Sequence, residues 1–178
     1  MGEEQVANLI KRLAVHIGSD AFLSLCLDLM AGGDRNRYVE ELRSLTGHAW
    51  EPGDPVFDHS RWPDYWVRAW GARGLLHSWD ERATDSIVAG LGDEHWRPAE
   101  MCLKVVARHD VAGAADGVVL LLLHPLPRVQ IQALRAIGVV GDTEHIEAVL
   151  AANGDERADV RRQSQISVEA MRLRLDHL

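Results

Sequence analysis

Cysteine is nearly absent: the 178 residues contain two, Cys26 and Cys102, each inside an apolar stretch that reads as helix. That leaves no disulfide framework and no paired C-x-x-C metal site, and predicts two buried, reduced thiols. Long apolar runs are missing as well. The longest, VVLLLL at 118–123, falls far short of the ~20 residues that span a bilayer. The opening residues, MGEEQVANLI, are acidic where a secretory signal would be basic. A cytoplasmic protein with no membrane partner is therefore expected. Positive charge is scarce too. The net charge of −8 disfavours nucleic acid as a general partner, because that affinity comes largely from Lys and Arg neutralising phosphates. No segment shows the strict apolar–polar alternation of a strand.

Catalytic signatures are equally lacking. The chain has no G-x-G-x-x-G, no P-loop, no G-x-S-x-G and no H-E-x-x-H. Nine histidines raise the question of a metal, but Asp54, Asp58 and His59 in one loop offer donors without ligand spacing. The expectation is no metal, no cofactor and a non-catalytic role.

What is present is a repeat. Four segments share a pattern of small residue, two others, small residue, apolar residue: Gly71–Leu75, Ala99–Leu103, Ala133–Ile137 and Ser164–Val168. Their spacings are 28, 34 and 31 residues. Val67, His95, Val129 and Val160 stand four positions before them, so offsets 0, 4, 7 and 8 define one face of a helix. Small residues on that face let a neighbouring helix approach closely. A second register interleaves with the first. Asp80, Asp110 and Asp142 each open an apolar-periodic stretch, and Asp is a favoured N-cap. Each unit then reads as two antiparallel helices of about a dozen residues joined by short turns.

The unit D-x-x-A-x-x-x-I…D-x-x-x-V-R-x-x-small-x-x-small-apolar resembles the HEAT-like repeat of bacterial PBS-lyase type, most closely over 142–175. The resemblance covers roughly 63–176 and implies an all-α fold, a right-handed α-α superhelix of antiparallel helix pairs. The Arg that follows the apolar Val is present as Arg68 and Arg161, whereas Trp96 and Gln130 stand there in the middle units. The N-terminal part, 1–47, reads as three helices, 3–17, 20–31 and 35–46, with Ser19 and Asp34 as caps and Gly18, Gly32, Gly33 and Gly47 as stops. Residues 48–62 carry no helical period and form an inserted loop before the repeats of 63–178. All of this is one domain in the reading. Trp62, Tyr65, Trp66 and Trp70 crowd the junction, in a chain with few aromatics. They are expected to pin the loop against the first repeat; a ligand pocket at that junction is the alternative.

Offsets 2, 6 and 9 point away from the buried stripe. They carry Arg73, Arg97, Met101, Lys104, Arg135 and Arg162 among apolar Ala69, Leu76, Ile131 and Ile166, with Gly138 and a single acid, Glu169. In HEAT-like solenoids the second helices line the concave side, so the resemblance implies a basic concave face. A scaffold that binds an acidic protein or peptide there is the leading reading, with Trp66 and Trp70 as further anchors. The rival is a DNA-binding or alkylation-repair-glycosylase-like enzyme that uses the same arginines, the Trp cluster and Asp64. Self-association through the last helix, which no following repeat covers, is a third.

Overall fold

The structure is a computed structural model that describes residues 2–176. Among these residues there are helices, turns and loops and no strand, so the protein is all-α. The chain divides into two compact units, Met1–Ser86 and Ile87–Leu178.

The first unit holds α1 (Glu3–Ile17), α2 (Ser19–Met30), α3 (Val39–Thr46) and α4 (Asp64–His77). The division into two units falls within α5 (Thr84–Gly90). Acidic residues in the first turn of α1, Glu3 and Glu4, suit the positive end of its dipole. Gly18 takes φ +85°, which only glycine adopts freely, and turns the chain from α1 into α2. Asp34 accepts from the Asn36 N–H and starts a 3-10 turn, Arg35–Tyr38, that runs into α3. Helix α2 packs along α4, while α1 and α3 also pack on α4. Ile10, Leu29, Leu42, Leu45 and Leu75 are fully buried in this core. Each such side chain contributes roughly 1.5–3 kcal/mol relative to an exposed one.

The second unit comprises α6 (Trp96–His109), α7 (Ala115–Leu121), α8 (Pro127–Val140), α9 (Ile146–Ala151) and α10 (Ala158–Leu175). Helices α6, α8 and α10 stack in that order, with α7 against α8 and α9 against α10. Close neighbours fix the sense of the stack. Gln130, near the start of α8, is bonded by Arg157 just before α10. Gly138, late in α8, lies against Ser167, and Gly141 beyond its end is bonded by Arg174 in the last turn of α10. Start meets start and end meets end, so α8 and α10 run in the same direction.

Of the sixteen residues at offsets 0, 4, 7 and 8 from Val67, His95, Val129 and Val160, fifteen are buried. The exception, His95, is half-buried and serves as N-cap of α6, its Nδ1 accepting from the Arg97 N–H at 3.2 Å. Other expectations need correction. The first helices are half the length anticipated: α5 and α7 have 7 residues and α9 has 6. Asp80 and Asp142 do cap, each opening a 3-10 turn. Asp110 does not; it ends α6 in the left-handed conformation at φ +52°, and α7 starts from Ala114. Three positions assigned to the outward face are buried as well. Ala69 and Leu76 sit on α4, which has α1, α2 and α3 around it, and Gly138 is covered by Ser167. The segment 48–62 is a loop except for one 3-10 turn, Pro55–Phe57. Both thiols are free and buried, and burial pushes Cys26 and Cys102 up to about 12.

The small residues of the repeat act as spacers. A methyl group on Gly71 would stand 2.6 Å from the backbone oxygen of Cys26 and 3.0 Å from the Met30 nitrogen, both in α2. Gly71→Ala gains about 1 kcal/mol of helix propensity. It must also force α2 and α4 apart, and overpacking of this kind costs about 1–3 kcal/mol. A net loss of stability by urea denaturation is expected. A variant at least as stable as the parent would refute close α2–α4 packing.

Candidate binding face

In the first unit the loop is held by one buried cation. The Arg35 side chain, 1% exposed, donates to the carbonyl oxygens of Val56 at 2.9 Å and Trp62 at 3.2 Å. It also donates to the Asp64 carboxylate and meets His59 Nδ1 at 3.1 Å. Burial lowers its pKa, and the charges of Asp34 and Asp58 oppose that shift. Arg43 adds a bond to the Trp50 carbonyl at 2.6 Å, and Asn36 one to that of Phe57 at 3.2 Å. Sequence reasoning missed Arg35. A cation in the first turn of a helix opposes the helix dipole, and that misfit was the available signal.

The aromatic cluster packs as expected. Trp50 donates its indole N–H to Thr46 Oγ1 at 2.9 Å. Its ring centre lies 5.8 Å from that of Trp62 and 6.3 Å from that of Trp70. Trp66 continues the row, 6.2 Å from Trp70. Both loop tryptophans are half-buried, so the loop is pinned by rings as well as by Arg35. Trp70 is only 7% exposed, which makes it a packing residue and not an anchor open to a partner; Trp66 is half-buried. Arg73, also in this unit, is half-buried; desolvation lowers its pKa against the pull of Glu3.

The second unit brings most of the remaining candidates together. Arg97, Met101 and Lys104 lie on α6, Ile131 and Arg135 on α8, and Arg162 and Ile166 on α10, at matching offsets of three stacked helices. Trp96, at the place where the repeat would carry an arginine, stands between two cations. The Arg97 guanidinium is 4.6 Å from its ring centre and that of Arg128 is 4.8 Å away. Glu100, buried beneath them, accepts from Arg128 at 3.0 Å and pairs with Lys104 at 3.5 Å. Sequence reasoning noted Trp96 only as a departure and missed Arg128 and Glu100, because only the stacking of α6 on α8 joins residues 28 positions apart.

Arg135 is exposed and bonded to amides: Nε donates to Gln163 at 3.2 Å and Nη1 to Gln132 at 3.0 Å. Those bonds orient the guanidinium, and among the described residues no carboxylate forms an ion pair with it. Arg162 is exposed and forms no ion pair among the described residues. At the edge of the face, Arg157 donates to both Asp155 and Gln130. Its side-chain bonds hold the Asp155 carboxyl well below the usual carboxylate range. Among the described residues no group of three or more His, Cys, Asp or Glu could hold a metal. Among the described residues no helix is long and apolar enough to cross a membrane.

No family model matches the chain, and no curated protein matches it.

Removing the buried cation should free the loop. Arg35→Met strands the carbonyls of Val56 and Trp62, at about 1–3 kcal/mol for each buried acceptor left unsatisfied. Faster limited proteolysis within 48–62 and a lower unfolding free energy are expected. Unchanged cleavage rates would mean that the aromatic rings hold the loop alone.

Proposed function

We propose that the face of α6, α8 and α10 in the second unit binds an acidic segment of another protein, as a non-catalytic scaffold. The observation that carries this reading is the environment of Arg135. It sits between Met101 and Ile166 at the equivalent positions of the neighbouring helices, and its charge is held by glutamine amides. A carboxylate arriving there gains a charge-assisted bond to an already oriented guanidinium. The apolar neighbours exclude water and give an adjoining aliphatic or aromatic side chain a seat. Arg97, Lys104 and Arg162 extend the positive field along the face, which would steer an acidic partner in a protein that is itself at −8. Membership of the HEAT-like solenoids, proposed on the repeat pattern, makes this surface the concave one. The two buried free thiols fit a reducing, cytoplasmic setting.

The rival reading, a duplex-DNA surface of glycosylase type, uses the same arginines. It is disfavoured by the net charge. Its candidate acid, Asp64, is neutralised by Arg35.

Peptide display separates the two. Selection on the intact protein should enrich sequences rich in Asp and Glu with interspersed apolar residues. Arg97→Glu with Arg135→Glu should abolish their binding while the helical circular-dichroism spectrum is retained, at a stability loss of about 1–2 kcal/mol from the Trp96 and glutamine contacts that are removed. Selected peptides without excess acid would remove the proposal, as would binding that survives both reversals. Duplex binding at 50 mM salt, falling with a log–log slope near −0.9 per phosphate, would favour the rival.

A further inference from the structure

We propose that α10 pairs antiparallel with α10 of a second copy of this chain, across a two-fold axis beside Ile166. Helix α10 is 18 residues long and buries one face through Val160, Ser164, Ser167, Val168 and Met171. The opposite face carries Asp159, Arg162, Ile166, Glu169 and Leu173, spaced 3, 4, 3 and 4 apart and all exposed. That spacing is the seam of a helix built to meet another helix. Ile166 is 52% and Leu173 56% exposed, so about half of each residue faces solvent.

The charges select the occupant. Arg162 precedes Ile166 by four positions and Glu169 follows it by three, and neither has an ion-pair partner in the chain among the described residues. A two-fold axis passing between Gln165 and Ile166 sets the two copies of Ile166 side by side and Arg162 opposite Glu169 of the second copy, and the reverse. A parallel pairing would instead oppose Arg162 to Arg162 and Glu169 to Glu169. The pattern is self-complementary in the antiparallel sense alone. This pairing stands apart from the acidic-segment reading. Because Arg162 and Ile166 belong to both surfaces, dimer and acidic segment would compete at that edge.

A helix of this length spans about 27 Å. Alone it buries less than the ~1,200 Å² of a standard interface, so association is at the weak, transient end. Sedimentation equilibrium of the full chain reads it directly, as a weight-average mass that rises above 19.8 kDa with concentration. Arg162→Glu and Glu169→Arg should each weaken association at least about tenfold, with circular-dichroism melts unchanged because both side chains are exposed. They move the net charge in opposite directions, so loss in both cannot be a net-charge effect. The double variant, R162E with E169R, should recover the parental constant to within about threefold. A parent that stays monomeric at about 1 mM overturns the proposal, as do single variants that associate like the parent or a double variant that fails to recover.

Discussion

Two helices can lie backbone to backbone only where neither presents a bulky side chain, and this protein depends on that condition. At Gly71 and Gly74 the space a methyl group would need is already filled by Cys26, Met30 and Leu45. At Gly138 the neighbour is Ser167. Close approach brings the larger residues of the same face, such as Leu75, Leu103 and Ile137, to complete burial. It also explains why short first helices suffice in the second unit: α7 and α9 cover one side of a stack already joined through α6, α8 and α10. Dense interiors tolerate little change in volume, so the small residues are as much a part of the core as the large ones.

Once the second helices stack, polar residues at their edges are forced to find partners on the next helix. Glu100 meets Arg128, Gln130 meets Arg157 and Arg135 meets Gln163. The consequences differ along the face. Where the partner is a carboxylate, as for Arg128 on Glu100, the charge is answered within the protein. Where it is an amide, as for Arg135, orientation is obtained and the charge is left for something else. A buried carboxylate shared by two cations also spares the structure the penalty of an unpaired ion.

The first unit solves a different problem, that of holding a loop with little regular structure. Burial of Val56 and Phe57 supplies the apolar part. The backbone carbonyls this burial removes from water are satisfied by Arg35 and Asn36. Rings from Trp50, Trp62 and Trp70 close over the remainder. The crowding of tryptophan at 62–70 is therefore packing first.

The amino-acid sequence by itself determined the long helices and the stripe each of them buries. Residues 3–17 were legible as α1 to the residue, and the offsets from Val67, Val129 and Val160 named buried positions throughout, because burial and helical period are local and repetitive. Helix caps were legible where an Asp was followed directly by a helix, as at Asp34 and Asp142, and failed at Asp110, where the chain first turns left-handed. Of the basic candidates, Arg97, Lys104 and Arg135 were marked by outward offset alone. Only the tertiary structure decided that Trp96 would lie between Arg97 and Arg128, that Arg35 would be buried, and that Trp70 would be core. Each of these depends on which distant residue faces which, and periodicity along one helix carries no information about the helix beside it.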